Sequence, residues 1–130
     1  MQRTCLIVDD EPVVRTYLKA ILRKEQYQTY EAENAPEAFK LVQGLDGGVS
    51  LIVSDINMPG DMDGLDLAHA LRDAFPSIPV VLISGFADRE LAKRGVGSFA
   101  FVPKPFTPEA ILGAVNSVTA APGQRCGASS

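Results

Sequence analysis

A chain of 130 residues is long enough to enclose one hydrophobic core and too short for a second full domain. Its net charge of -4 argues against direct nucleic-acid binding, which draws its affinity from many lysines and arginines set against phosphates. The short apolar run near the amino end suits neither a secretory core nor a membrane span, and Cys5 and Cys126 lie far apart without a CxxC spacing or a nearby histidine. A cytoplasmic protein with no membrane segment, disulfide framework or zinc site is therefore expected.

Taken in order, the chain alternates between short apolar runs and helical periodicity. Residues 5–8 read as a strand, followed by Asp9, Asp10 and Glu11, and then by Pro12, well placed in a first helical turn where its missing N–H is harmless. Val14, Tyr17, Leu18, Ile21 and Leu22 recur at three- and four-residue spacing, with Arg15, Lys19, Arg23 and Lys24 outside the stripe. Residues 28–32 form a weaker, alternating strand suited to a sheet edge, and Asn34, Pro36 and Glu37 open a second helix that ends near Gly44. Leu51, Ile52 and Val53 make an unbroken apolar run, the pattern of a strand covered on both faces. That strand ends at Asp55, and Asn57, Met58, Pro59, Gly60, Asp61, Asp63 and Gly64 supply turn chemistry.

A third helix spans 65–75, with Leu67, Ala68, Leu71 and Phe75 inward and His69 on the surface; Pro76 and Pro79 end it. Residues 80–83 are another solidly apolar strand, stopping at Ser84 and Gly85. Asp88 starts a short fourth helix carrying Arg89, Lys93 and Arg94, which Gly95 terminates, and residues 99–102 form a fifth strand leading into Pro103, Lys104, Pro105 and Phe106. Thr107, Pro108 and Glu109 signal the start of a last helix through Ile111, Leu112, Val115 and Val118, and residues 122–130 read as a flexible tail. The segment 95–100, GVGSFA, matches a dinucleotide fingerprint only on paper, because it follows a helix and enters a strand.

Five strand–helix pairs predict an α/β domain: a five-stranded parallel sheet, doubly wound, with right-handed crossovers. Of the two common doubly wound arrangements, the order 2-1-3-4-5 fits the count, and it reverses direction between strands one and three. Taken alone, Asp55 would read as a turn cap. In this topology, however, Asp9, Asp10 and Asp55 converge on one crevice, with Ser84 and Lys104 ending strands four and five along the same edge. Two carboxylates ~4 Å apart repel by roughly 4 kcal/mol at an effective dielectric of ~20, so three of them call for a cation or a retained proton. All-oxygen ligands suit Mg²⁺, and the Asn57 backbone carbonyl could add another. Lys104 and Ser84 are the kinds of donor that would hold a phosphoryl group.

The residues VDDE at 8–11, SDINMP at 54–59, MDG at 62–64, ISG at 83–85 and FVPKPF at 101–106 resemble the receiver domain of two-component response regulators, in its flavodoxin-like fold. The resemblance covers residues 3 to about 119, carries part of the strand-order expectation, and places a single receiver domain at 1–121. It implies that Asp55 is the phosphoacceptor, that Asp10 ligates Mg²⁺ directly, that Asp9 assists mostly through water, and that Asn57 binds through its carbonyl. Ser84 and Lys104 would contact phosphoryl oxygens, and a cis Lys104–Pro105 bond is implied. Ser84 and Phe101 would form the switch that changes partner binding. The implied partners are a histidine kinase or histidine phosphotransfer protein, and a downstream protein docking on the face made by the fourth helix, fifth strand and fifth helix. The domain would assist its own phosphorylation and reset without being a turnover enzyme.

The chain departs from the commonest family pattern in several places. Gly60 and Asp61 stand where one residue is usual, the hydroxyl is Ser84 in place of Thr, and Phe101 lacks the phenolic oxygen of the frequent Tyr. Phe86 is expected to shield the phosphoryl group and slow its hydrolysis. A flavodoxin-like electron carrier would need a Gly/Ser/Thr phosphate cradle after strand one, and an aspartyl phosphatase would need a DxD there; neither is present. A phosphorylation-independent interaction module is disfavoured by the full set of acids with Ser84 and Lys104. A receiver excised from a hybrid kinase or larger regulator remains open.

Overall fold

Residues 3–85 and 99–119 are described by a computed structural model. Five strands form one parallel sheet: β1 (Arg3–Val8), β2 (Tyr27–Ala32), β3 (Leu51–Asp55), β4 (Val80–Ser84) and β5 (Ala100–Pro103). Their spatial order is β2-β1-β3-β4-β5, as expected, with all four pairings parallel. Among the described residues there are four helices, α1 (Pro12–Lys24), α2 (Ala35–Gly44), α3 (Gly64–Ala74) and α4 (Pro108–Thr119). The expected short helix after β4, with Arg89, Lys93 and Arg94, lies outside the described residues, as do Phe86, the glycine-rich segment 95–98 and the tail.

The uninterrupted apolar runs follow from burial on both faces of the sheet. Cys5 and Ile7 of β1, Leu51 and Val53 of β3, and Val81 and Ile83 of β4 face Leu18, Ile21 and Leu22 of α1 and Ile111 and Val115 of α4. Their alternating neighbours Leu6, Val8, Ile52, Val80 and Leu82 pack against Ala35, Ala38 and Val42 of α2 and Leu67, Ala68 and Leu71 of α3. Cys5 is buried, which pushes its thiol pKa well above the ordinary value and leaves it an inert core residue. Tyr17, placed in the α1 stripe by its spacing, is 43% exposed and leans on the Phe106 ring, 5.6 Å between centroids.

The helix starts carry their own stop and start chemistry. The Asn34 side chain accepts the Glu37 N–H at 2.8 Å, while Glu37 reaches back to the Glu33 N–H at 2.7 Å. Replacing Asn34 with alanine should lower stability by about 1 kcal/mol, read as a shifted urea midpoint with an unchanged slope. Asp63 and Asp66 form a reciprocal capping box on α3, which begins one residue before the expected position. His69, expected on the surface, is half-buried: its ring meets Phe99 edge-on at 5.5 Å and its Nδ1 lies 3.1 Å from Arg72.

Candidate functional site

At the carboxyl edge of the sheet, the strand order reverses between β1 and β3, and the connections leave in opposite directions. Asp9 and Asp10 follow β1 directly and Asp55 is the last residue of β3, so their positions are set by the strands and not by loop sampling. One carboxylate oxygen from each lies within 4.8 Å of the others. Asp55 is 2% exposed and Asp9 fully buried, whereas Asp10 is exposed.

Each acid is held differently. Asp9 Oδ1 accepts the Glu11 N–H at 2.9 Å, while Oδ2 is buried with no hydrogen-bond partner among the described residues. Its backbone N–H donates to the Ala32 carbonyl at 3.1 Å, and its own carbonyl accepts Arg15 Nη1 at 2.7 Å. Asp55 Oδ1 accepts the Asn57 N–H at 3.3 Å and Oδ2 pairs with Lys104 Nζ at 3.2 Å. Lys104 in turn is fixed by its N–H on the Ser84 carbonyl, 2.9 Å, and Ser84 itself is buried at the end of β4. The Lys104–Pro105 bond is cis. Phe101 is half-buried on β5, in register with Leu82.

Burial dominates the electrostatics. It pushes the Asp9 carboxyl up to about 6, with the Glu11 N–H opposing and the nearby Asp55 charge adding to the rise. Asp55 is likewise raised by burial, although the Lys104 charge and hydrogen bond offset part of that. A buried carboxylate oxygen without a donor, beside two further acids, is a costly arrangement for the bare protein. It fits a hard divalent cation: all donors are oxygens, and a Mg²⁺-type ion needs only one or two direct carboxylates plus waters.

The chain matches the family model described as "Response regulator receiver domain" over residues 5–116. It belongs to that family. Among curated relatives, the receiver is 37% identical over 106 residues to the sensor kinase CckA of Brucella abortus, covering 80% of this chain and 11% of that protein. It is 31% identical over 109 residues to the transcriptional regulatory protein ResD of Bacillus subtilis, covering 82% of this chain and 44% of that one. The chain thus spans less than half the length of these relatives. Among solved structures, the receiver domain of NtrX from Brucella abortus superposes with a TM-score of 0.78 at 32% identity, covering 90% of this chain and 99% of that one. A receiver protein from Sinorhizobium medicae gives a TM-score of 0.79 at 28% identity over 92% and 96% of the two chains.

All the acids, Ser84 and Lys104 singled out in the sequence therefore fall on one edge of the receiver sheet. Two contributors were not singled out. Arg15 lies beside the apolar stripe of α1, where spacing alone marks it as a solvated residue. Its backward reach to Asp9 follows from the tilt of helical side chains toward the amino end, which lets a residue in the first turns contact the preceding loop. Glu31, at the end of the edge strand β2, holds Arg15 and Lys19 at 3.0 and 2.9 Å, and the Lys19 bond is the main reason its pKa is lowered.

Proposed function

We propose that this receiver accepts a phosphoryl group on Asp55 in a two-component signalling pathway, in a Mg²⁺-dependent reaction. The observation that carries the reading is the buried Asp55 carboxylate, bonded by Lys104 and within 4.8 Å of two further acids. Asp10, Asp9, Asp55 and the Asn57 carbonyl would hold the cation, which when bound neutralises charge on the phosphoryl oxygens. An Asp55 oxygen attacks phosphorus in a phosphohistidine of a histidine kinase or phosphotransfer protein. The O–P bond forms as the P–N bond breaks, and the electron pair returns to the imidazole nitrogen.

Lys104, already on Asp55 Oδ2, transfers its hydrogen bond to a phosphoryl oxygen, and Ser84 Oγ donates to another. Water later attacks the acyl phosphate at the same edge, so the domain promotes its own reset and is a signalling acceptor, not a metabolic enzyme. Ser84 moving toward the phosphoryl group leaves space that Phe101 fills, biasing a two-state equilibrium read by a downstream protein. That partner docks on the face that carries β5 and α4; the fourth-helix part of the expected surface lies outside the described residues. A coupling of about 1–3 kcal/mol suffices for such a switch. No helix among the described residues is long and apolar enough to cross a membrane. The cytoplasm, where the kinase's phosphohistidine would be available, is the compartment this reading requires.

The test is incubation with Mg²⁺ and acetyl phosphate followed by intact-mass analysis. The parent chain should gain the mass of one phosphoryl group and Asp55→Asn none. A parent that stays unlabelled with the cation present, or an Asn variant labelled as well as the parent, rejects the assignment.

A further inference from the structure

We infer that Arg15 is a positioning residue for the cation-binding acids, its guanidinium forked between the Asp9 main-chain carbonyl and the Glu31 carboxylate so that the first acidic turn is held in place. The inference rests on the Mg²⁺ reading of the site given above. The Arg15 side chain is only 17% exposed; Nη1 donates to the Asp9 carbonyl at 2.7 Å and Nε to Glu31 Oε1 at 3.0 Å. Glu31 precedes Ala32, whose carbonyl accepts the Asp9 N–H at 3.1 Å. Both sides of Asp9 are thereby tied to the end of β2, one directly and the other through Arg15.

That double tether has a physical task. Asp9 Oδ2 is buried without a partner, and an unpaired buried carboxylate gains solvation by swinging outward. The Asp9 side chain could do so cheaply if its backbone were free, and Asp10, the next residue, would move with it. Holding the peptide leaves the carboxylates aimed at one point before any ion arrives, which removes an ordering cost from binding. Lys19 reaches the other Glu31 oxygen, Oε2, at 2.9 Å, and so shares the charge network while bonding the acid that Arg15 uses and not the turn itself.

Calorimetric titration of the full chain with MgCl₂ separates positioning from charge, because Arg15→Gln and Lys19→Gln each remove one positive charge. Arg15→Gln should weaken Mg²⁺ binding on the order of 10-fold, the scale typical of groups that orient metal ligands. Lys19→Gln should stay within about twofold, since the tether on Asp9 survives. Arg15→Lys, which must reach both acceptors from one nitrogen without the planar two-nitrogen geometry of the guanidinium, should fall between. Phosphoryl uptake by Arg15→Gln should be slow at limiting Mg²⁺ and approach the parent rate at saturation. Equal weakening by Arg15→Gln and Lys19→Gln overturns the inference, as does an Arg15→Gln protein with reduced thermal stability and parental Mg²⁺ affinity. Should Arg15→Gln not fold, parental affinity in Arg15→Lys overturns it just as well. A parent that binds no Mg²⁺ removes the site reading and this inference together, whereas a binding parent matched by Arg15→Gln removes this one alone.

Discussion

Gly64→Ala should destabilise the domain by about 4 kcal/mol or more, while Gly113→Ala should stabilise it by roughly 0.5–1 kcal/mol. Gly64 opens α3, and its N–H donates to the Ile56 carbonyl at 2.9 Å, which draws the start of the helix onto the chain leaving β3. A Cβ at Gly64 would lie 2.8 Å from both the Asp55 carbonyl carbon and the Ile56 Cα, and would press still harder on the Asp55 carbonyl oxygen. Those are backbone atoms of the last residue of a strand buried along its whole length and of the buried residue that follows it, so no rotamer change relieves the overlap. Either α3 lifts off the sheet or the end of β3 shifts, taking the Asp55 carboxylate with it. Gly113, in the body of α4, has nothing within 4 Å of the equivalent position, so there the methyl only lowers the entropy lost on folding. Urea unfolding followed by far-ultraviolet circular dichroism reads both signs. A Gly64→Ala protein with the parental midpoint would mean that the strand end and α3 can separate cheaply.

Gly64 also marks a limit of what the amino-acid sequence discloses. Its presence at the end of a breaker-rich stretch announces a turn, but the reason only glycine fits is a backbone approach between β3 and α3 that no local pattern encodes. The central strands were legible because Leu51, Ile52 and Val53, and likewise residues 80–83, are apolar without alternation, a signature that requires cover on both faces. Once the order 2-1-3-4-5 is drawn, Asp9, Asp10 and Asp55 must share an edge. Element ends were less legible because partners elsewhere set them. β1 runs back to Arg3 because β2 offers Tyr27 as its parallel partner, and Tyr27 joins the strand because its ring is buried against the α1 side of the core. His69, a lone histidine on the third helix, reads as a surface residue, yet Phe99 comes from a distant segment to cover it. Arg15 falls in the same class: a helix position tells where a long side chain begins, and only the tertiary fold tells which carbonyl it finds.

The metal-free domain should be more stable at pH 5 than at pH 7, and Asp9→Asn should abolish most of that difference. Asp9 has its folded pKa raised from 3.8 to about 6, and Asp55 is raised in the same direction, both chiefly by burial. A raised acid means the native state binds more protons than the unfolded chain across the interval between the two pKa values, so stability falls as pH climbs through it. For Asp9 that interval runs from about 4 to about 6, and the loss is complete slightly above it. At about 1.4 kcal/mol per pKa unit the full penalty approaches 3 kcal/mol, of which roughly 1 kcal/mol falls between pH 5 and 7, about 3–5 °C in melting temperature. Glu31 works in the opposite sense, its pKa being lowered, but its contribution is lost only as pH falls below the ordinary carboxylate range, outside this window. Removing the charge should therefore raise the melting temperature of metal-free Asp9→Asn at pH 7 above that of the parent. Adding Mg²⁺ should reverse the ranking, because an ion that binds only the ionised acids stabilises the parent in proportion to the logarithm of its concentration over Kd and finds a poorer site in the variant. Melting curves at pH 5 and 7, with chelator or with Mg²⁺, measure all four corners of this cycle. Parallel curves for parent and variant in chelator would show that Asp9 carries no burial penalty, and the strain that makes the edge receptive to a cation would then have to reside in Asp55 alone.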